Sequence, residues 1–203
     1  MKICIFGAGA IGGMMGSLLK KNGNEVVLIA RNEHYNSIRN NGLRFISEEY
    51  DLDICQKFDV YDTVNNLGTF DLVINGLKAH SSNQVANQVG KLLGKDSVMV
   101  PTLNGVPWWF FYKIGGKFDN YQISSVDIEN KQWNYIKPEK VIGCVVYPAA
   151  EVSSPGVIKH IEGKRFILGE PNNQKSERID RISKLFYSSD IKAPVSKDIR
   201  SDI

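Results

Sequence analysis

Cysteine is scarce in this sequence. Its 203 residues include three, Cys4, Cys55 and Cys144, an odd number with no CxxC pair. Secreted domains held by disulfides carry an even set of closely spaced cysteines, so this class is excluded. Three separate cysteines, two of them inside apolar segments, indicate reduced thiols, and we therefore expect a cytoplasmic protein.

Histidine is equally scarce, and no motif surrounds the three that are present. His34, His80 and His160 stand alone, with no HExxH pattern and no paired cysteines nearby. Protein metal sites need several such ligands at short, regular spacing, so we predict no metal. A GxSxG motif is also missing, and no Ser/His/Asp arrangement can be argued from the sequence.

Long apolar runs and blocks of one charge are missing as well. The longest apolar stretches, such as Val26–Ala30, are strand-sized and fall far short of the roughly 20 residues that cross a bilayer. The four apolar residues after Lys2 are too few for a secretory signal. A net charge of +3, spread over 25 basic and 22 acidic residues, is too mild for binding nucleic acid through counterion release. We expect neither a membrane nor a nucleic acid as partner.

What remains is an ordinary globular composition, 42% hydrophobic and 23% charged, in which strand-sized apolar runs alternate with helical patterns. Runs without polar alternation are typical of parallel strands that are covered on both faces. The sequence therefore predicts an α/β fold, a Rossmann-type doubly wound and mostly parallel sheet with an extra β-hairpin. Its predicted strands and helices are Lys2–Phe6, Ala10–Lys21, Glu25–Ala30, Glu33–Asn41, Asp71–Asn75, Ser81–Leu93 and Ser97–Thr102. Leu43–Ile46 and Leu52–Cys55 form a predicted hairpin.

The carboxyl-terminal part of the sequence predicts further elements. A terminal strand, Val141–Tyr147, leads into a hairpin of Val157–Ile161 and Phe166–Leu168, because turn residues separate these runs. A helix at Ser176–Phe186 and a short strand at Ile191–Val195 follow.

The most informative local pattern is a GxGxxG motif that directly follows the first strand and opens the first helix. The first glycine permits a tight turn, the second lets backbone approach a pyrophosphate, and the third lets helix and strand pack closely. Free N–H groups and the positive end of the helix dipole would then hold the anion. The motif predicts a dinucleotide site formed by Gly7, Ala8, Gly9, Ala10, Ile11 and Gly12.

The residue that ends the second strand indicates which dinucleotide is bound. Proteins that bind NAD place a carboxylate about 20 residues after the glycines, where it bonds the ribose 2′-hydroxyl. Here that position holds Arg31, and Glu33 lies two residues further on. A guanidinium offers a bidentate fork for a phosphate and no acceptor for a hydroxyl, which favours NADP(H). The alternative is a surface arginine near a strand end.

Two polar residues follow the next two strands. Lys78 and Asn104 come after the predicted strand ends, and the carboxyl ends of parallel strands border the ligand crevice of such sheets. The amide of Asn104 can donate and accept, so it could contact both cofactor and substrate. Each has a structural alternative, because Lys78 precedes a helix and Asn104-Gly105 is a common turn pair. We interpret His80 as a surface histidine.

Taken in order, these motifs resemble the ketopantoate reductases (2-dehydropantoate 2-reductases) over essentially the whole chain. The resemblance is carried by the glycine motif with Arg31, by Leu77-Lys78-Ala79, by Leu103-Asn104-Gly105-Val106, by Tyr147-Pro148-Ala149-Ala150 and by Ser154-Pro155-Gly156 with His160. It implies that Arg31 binds the 2′-phosphate, that Lys78 and Ala150 contact the cofactor, and that Asn104 contacts both cofactor and substrate. The segment Trp108–Pro138 is longer than in the simplest members.

The resemblance also implies an activity and a domain arrangement. We expect residues 1–196 to form the NADP-binding domain and residues 197–203 to begin an all-helical substrate domain that stops short. The family's catalytic lysine would lie just beyond Ile203, so the chain itself is expected to bind cofactor without turnover. The implied reaction is the NADPH-dependent reduction of 2-dehydropantoate to pantoate in pantothenate biosynthesis, with a small 2-oxo acid and a second copy of the chain as candidate partners. Alternatives are a reductase of another 2-oxo acid and a non-catalytic dinucleotide-sensing module.

The five adjacent aromatic residues Trp108–Tyr112 leave two alternatives open. At helical spacing they cannot all face one core, so part of the run would form an exposed apolar patch. Alternatively, most of them pack within the domain.

Overall fold

The computed structural model describes residues 1–203. Its eleven strands in chain order are β1 (Lys2–Phe6), β2 (Glu25–Ile29), β3 (Leu43–Ser47), β4 (Leu52–Gln56), β5 (Asp59–Tyr61), β6 (Phe70–Asn75), β7 (Leu93–Pro101), β8 (Gly143–Val146), β9 (Ala149–Ser154), β10 (Val157–Glu162) and β11 (Phe166–Gly169). The α-helices are α1 (Ala10–Lys21), α2 (Asn32–Asn41), α3 (Ala79–Ser82), α4 (Ala86–Lys91), α5 (Lys131–Tyr135), α6 (Glu177–Ser188) and α7 (Ile199–Asp202). None of these helices combines the length and the hydrophobicity that a membrane-spanning helix needs.

The central sheet has the order β5-β2-β1-β6-β7, and all of its strands run parallel. Successive side chains of β1 alternate between its faces: Ile3 and Ile5 pack in one core cluster, whereas Cys4 and Phe6 pack in a second. Both faces are therefore covered, which is why the strands lack polar alternation. The predicted doubly wound α/β fold is confirmed.

A second sheet, of order β4-β3-β10-β9, covers α1 from the other side. The predicted hairpin of β3 and β4 is confirmed, and β3 pairs in parallel with β10. Helix α1 fits between the two sheets because glycines face both. A Cβ on Gly16 would lie 3.1 Å from Leu28, and a Cβ on Gly13 would lie 2.7 Å from Ile158.

The predicted hairpin near the carboxyl end has different partners. Strand β10 pairs with β9, turning at Pro155-Gly156, whereas β11 pairs antiparallel with β8. Strand β9 escaped prediction because it is largely exposed and has no apolar run. The prediction of a last strand at 191–195 is also wrong: Lys192 and Val195 form isolated bridges only. Pro194 lies between them and has no N–H to donate.

The predicted helix Ser81–Leu93 is also wrong, because the chain forms the separate helices α3 and α4 with a 3₁₀ turn between them. Val85 leaves the helical region at φ −106° and ψ 7°. Just before it, the Asn83 amide donates to Asp127 Oδ1 at 2.8 Å and to the carbonyl of Ile128 at 3.1 Å. These partners lie more than forty residues away, so local periodicity cannot reveal the break.

The aromatic run packs within the domain. Trp108 and Trp109 are buried in the second core cluster, and Phe110, Phe111 and Tyr112 are half-buried. Of the two alternatives, internal packing is therefore correct. The last helix also packs there, with Ile199 buried against β8 and β11. The predicted boundary between residues 196 and 197 stays a prediction.

Candidate functional site

The glycine loop lies at the carboxyl edge of the central sheet, between β1 and α1. Backbone N–H groups of Gly7 and Ala8 both donate to the carbonyl of Ile29, at 3.1 and 2.9 Å, which fastens the loop to β2. Gly7 has φ +97°, a conformation that side chains rarely adopt. Gly9 is the N-cap of α1, and no side chain caps this helix end. The positive end of the helix therefore stays available to an anion.

The glycines of the motif, and Gly76 beside them, differ in their surroundings. A Cβ on Gly7 would lie 2.6 Å from a side-chain carbon of Leu77. A Cβ on Gly12 would lie 2.1 Å from the carbonyl oxygen of Gly7, so helix and turn touch there. A Cβ on Gly76, after β6, would lie 2.6 Å from the same oxygen. A Cβ on Gly9, by contrast, would meet no atom within 4 Å. Gly7, Gly12 and Gly76 therefore serve packing, and Gly9 borders open space that a ligand can occupy.

One cavity lies beside Gly9 on the β2 side, and we call it the Arg31 cavity. Its volume is about 270 Å³. It is lined by Phe6, Gly7, Ala8, Gly9, Ile29, Ala30, Arg31, His34, Asp62, Leu77, Val85 and Gln88. Arg31 lines this cavity, is exposed and is the N-cap of α2.

Asp62 is a charged lining residue that the sequence does not predict. It directly follows β5, which pairs with β2, so it shares the Arg31 cavity although it is thirty-one residues from Arg31 in sequence. An acidic ribose ligand is expected at the end of β2, and that position holds Arg31. A three-residue strand leaves too short an apolar pattern to predict, and no other sequence signal marks this aspartate.

A second cavity lies on the opposite side of Gly9, and we call it the Lys78 cavity. Its volume is about 480 Å³. It is lined by Gly9, Ala10, Ile11, Gly76, Leu77, Lys78, Ala79, His80, Ser81, Thr102, Leu103 and Asn104. Lys78 is exposed and forms no ion pair, and His80 is exposed as predicted. Gly9 and Leu77 border both cavities, so the two meet at the glycine loop.

Asn104 is already engaged by the protein. Its amide nitrogen donates to the carbonyl of Val146 at 2.8 Å, and its amide oxygen accepts from the Val146 N–H at 2.8 Å. These bonds join the end of β7 to the end of β8. One N–H and one lone pair of the amide remain for a ligand.

Ala150 lies apart from the two cavities. It is half-buried on β9, opposite His160 on β10, and lines neither the Arg31 cavity nor the Lys78 cavity. His160 itself is buried, with Nδ1 2.8 Å from Ser47 Oγ and Nε2 2.7 Å from the carbonyl of Gly163. These bonds join β10 to the end of β3 and to the turn that follows β10. The cofactor contact of Ala150 stays a prediction.

The buried thiols are not nucleophiles. Burial raises the pKa of Cys4 to about 12, and burial also raises the pKa of Cys144. Both stay protonated near neutral pH, whereas thiol chemistry needs the thiolate. No group of three His, Cys, Asp or Glu side chains is arranged to hold a metal ion. The charged groups that line the two cavities are Arg31, Lys78 and Asp62.

Comparison with known proteins agrees with this geometry. The family model described as ketopantoate reductase PanE/ApbA matches residues 3–173. The chain is similar to the 2-dehydropantoate 2-reductase of Mesorhizobium japonicum, with 42% identity over 204 aligned positions that cover 100% of this chain and 62% of that protein. A crystal structure from Ralstonia solanacearum MolK2, assigned as a ketopantoate reductase, has a TM-score of 0.93 at 34% identity and covers 100% of this chain and 62% of its own.

A more distant likeness concerns the fold alone. D-mandelate dehydrogenase with NADH and anilino(oxo)acetate has a TM-score of 0.79 at 23% identity, over 97% of this chain and 57% of that one. The chain spans about three fifths of the length of the relatives that it matches. The family model matches most of the 203 residues of this chain. The chain therefore belongs to the ketopantoate reductase PanE/ApbA family.

Proposed function

We propose that this chain is the NADP(H)-binding part of a reductase that converts 2-dehydropantoate to pantoate in pantothenate biosynthesis. The observation that carries the proposal is the open space at Gly9, where an uncapped helix end lies between the Arg31 and Lys78 cavities. A dinucleotide has this shape, with a central pyrophosphate and a nucleoside on each side. The name of the Mesorhizobium japonicum relative supports the choice of substrate.

The residues of this chain would divide the cofactor between them. Backbone N–H groups at the start of α1 would hold the pyrophosphate, and Arg31 would pair with the 2′-phosphate. Lys78, Asn104 and Ala150 would lie on the nicotinamide side, and Asn104 would also orient the substrate. The bound cofactor supplies the hydride that reduces the oxo group.

The remaining chemistry is assigned from the family resemblance. The general acid would be a lysine beyond Ile203, outside the 203 residues, and residues 197–203 would begin the helical domain that carries it. We also propose a cytoplasmic location, supported by three free cysteines without a disulfide.

A reductase of another 2-oxo acid is the second candidate. The observation in its favour is the shared fold of D-mandelate dehydrogenase, which was solved with NADH and anilino(oxo)acetate. That structure contains NADH. In this chain, the carboxylate of Asp62 in the Arg31 cavity would favour NADH over NADPH.

The test is a calorimetric titration of the wild-type chain, Arg31→Ala and Arg39→Ala with NADPH and NADH. Arg39 is the matched control, because it is exposed on the same helix and does not line the cavity. Charge-assisted hydrogen bonds contribute about 1.5–3 kcal/mol, so the wild type should prefer NADPH by about ten- to a hundredfold. Arg31→Ala should lose that preference and Arg39→Ala should keep it. Equal wild-type affinity for both cofactors would refute NADP specificity.

A further inference from the structure

We infer that His34 is a positioning residue that fixes the peptide before Gly9 and joins it to the Ser154–Val157 turn of the second sheet. The inference rests on the proposed function, because it concerns how the cofactor loop is held. His34 lies in the first turn of α2, three residues after Arg31, and lines the Arg31 cavity.

The imidazole makes two hydrogen bonds to backbone from distant parts of the chain. Its Nε2 lies 2.7 Å from the carbonyl oxygen of Ala8, and its Nδ1 lies 3.0 Å from the amide nitrogen of Gly156. The partners fix the tautomer, because a carbonyl only accepts and a backbone N–H only donates. Nε2 therefore carries the proton and donates to Ala8, whereas Nδ1 accepts from Gly156.

The bond to Ala8 sets the direction of the Gly9 N–H. In a planar trans peptide the carbonyl of one residue and the N–H of the next point in opposite directions. The Ala8 N–H is itself held by the carbonyl of Ile29 at 2.9 Å, so both ends of this residue are fixed. The Gly9 N–H has no acceptor within the protein, and Gly9 lines both cavities. His34 thereby presets a donor for an anion.

The bond to Gly156 connects the loop to the second sheet. Gly156 has φ +80°, and its carbonyl accepts from the N–H of Arg44 on β3 at 2.9 Å. Ser37, one turn further along α2, donates from Oγ to the carbonyl of Pro155 at 2.8 Å. Helix α2 is therefore attached to this turn twice, but only His34 continues the connection to the glycine loop. The Pro155-Gly156 pair therefore forms the turn to which Ser37 and His34 of α2 are bonded.

Ser37 provides the matched control, and three variants separate the two bonds. His34→Ala removes both, His34→Gln retains an amide donor for the Ala8 carbonyl, and Ser37→Ala removes the other attachment of the turn. Loss of the one bond to Ala8, worth about 0.5–1.5 kcal/mol, corresponds to about a two- to tenfold increase in the Kd for NADPH in His34→Ala. His34→Gln and Ser37→Ala should bind NADPH like the wild type, and Ser37→Ala should unfold at a lower temperature because it loses the bond to Pro155.

Amide hydrogen exchange without cofactor gives an independent readout. In His34→Ala the amides of Ala8 and Gly156 should exchange faster, whereas Ser37→Ala should leave Ala8 unchanged. If His34→Ala binds NADPH as the wild type does, or Ser37→Ala weakens binding as much, the inference is overturned. A wild-type chain that binds neither NADPH nor NADH would refute the proposed function instead. Because the exchange experiment contains no cofactor, an unchanged exchange rate at Ala8 in His34→Ala would refute the role of His34 independently of the proposed function.

Discussion

Substitution of Gly9 by valine should separate ligand binding from folding. A Cβ at Gly9 meets no atom within 4 Å, and its φ of −70° is open to any side chain. Substitutions at such unobstructed positions usually change the free energy of unfolding by less than about 0.5 kcal/mol, and exchange of a glycine N-cap for valine, which caps poorly, adds about 1 kcal/mol. We therefore expect Gly9→Val to stay folded and to unfold within about 5 °C of the wild type.

The same side chain should block the cofactor, because it fills the space beside the uncapped end of α1. Each backbone hydrogen bond to a phosphate contributes about 1.5–3 kcal/mol, and loss of two corresponds to roughly a hundred- to ten-thousandfold weaker binding. Calorimetric titration with NADPH measures this loss, and a thermal unfolding scan measures stability.

Gly12→Ala is the control with the opposite behaviour. Its Cβ would lie 2.1 Å from the carbonyl oxygen of Gly7 and 3.0 Å from a side-chain carbon of Ile5. Overpacking of this kind costs about 1–3 kcal/mol, so Gly12→Ala should unfold several degrees below the wild type. The reasoning is refuted if Gly9→Val binds NADPH normally, or if it is destabilised as much as Gly12→Ala.

Three further predictions concern other parts of the chain. Asp62→Asn should raise the preference for NADPH over NADH by about threefold to tenfold, because one negative charge leaves the Arg31 cavity. The control Asp59→Asn, at the exposed start of β5, should leave that preference unchanged. Unchanged cofactor titrations of Asp62→Asn would contradict this prediction. Asn104→Ala should lower the free energy of unfolding in urea by about 1–3 kcal/mol, since two bonds between β7 and β8 are lost; an unchanged midpoint would show that these bonds do not stabilise the fold. Cys55 is exposed and should react with a thiol reagent at pH 8, whereas the two buried thiols should react only after unfolding. Burial raises the pKa of Cys4 from 9.0 to about 12, so the unfolded thiol ionises first and the free energy of unfolding should fall between pH 9 and pH 12, by up to about 1.4 kcal/mol per pH unit. More than one rapidly reacting thiol, or no loss of stability at alkaline pH, would refute the burial argument.

The sequence predicts an element most accurately where residues next to one another in the chain determine both of its ends. The bounds of β1 and α1 were predicted to the residue, because an apolar run and a glycine motif adjoin there. Distant contacts explain the failures. Strand β9 is exposed and joins a second sheet through hydrogen bonds that no periodicity indicates, and the helix after Lys78 breaks where Asn83 bonds Asp127.

The candidate site divides in the same way. Gly9, Arg31, Lys78 and Asn104 could be proposed because each lies within three residues of the end of a strand, and they line the two cavities. Asp62 and His34 could not be assigned, since the first depends on a three-residue strand and the second on backbone groups at positions 8 and 156. In addition, the engagement of Asn104 by Val146 is visible only once β7 and β8 are placed.

A crystal structure of the chain with NADP⁺ tests the central claim most directly. We predict the pyrophosphate at Gly9 on the end of α1, the 2′-phosphate within hydrogen-bond distance of the Arg31 guanidinium, and the nicotinamide in the Lys78 cavity. A cofactor whose pyrophosphate lies away from Gly9, or whose 2′-phosphate makes no contact with Arg31, would contradict the account.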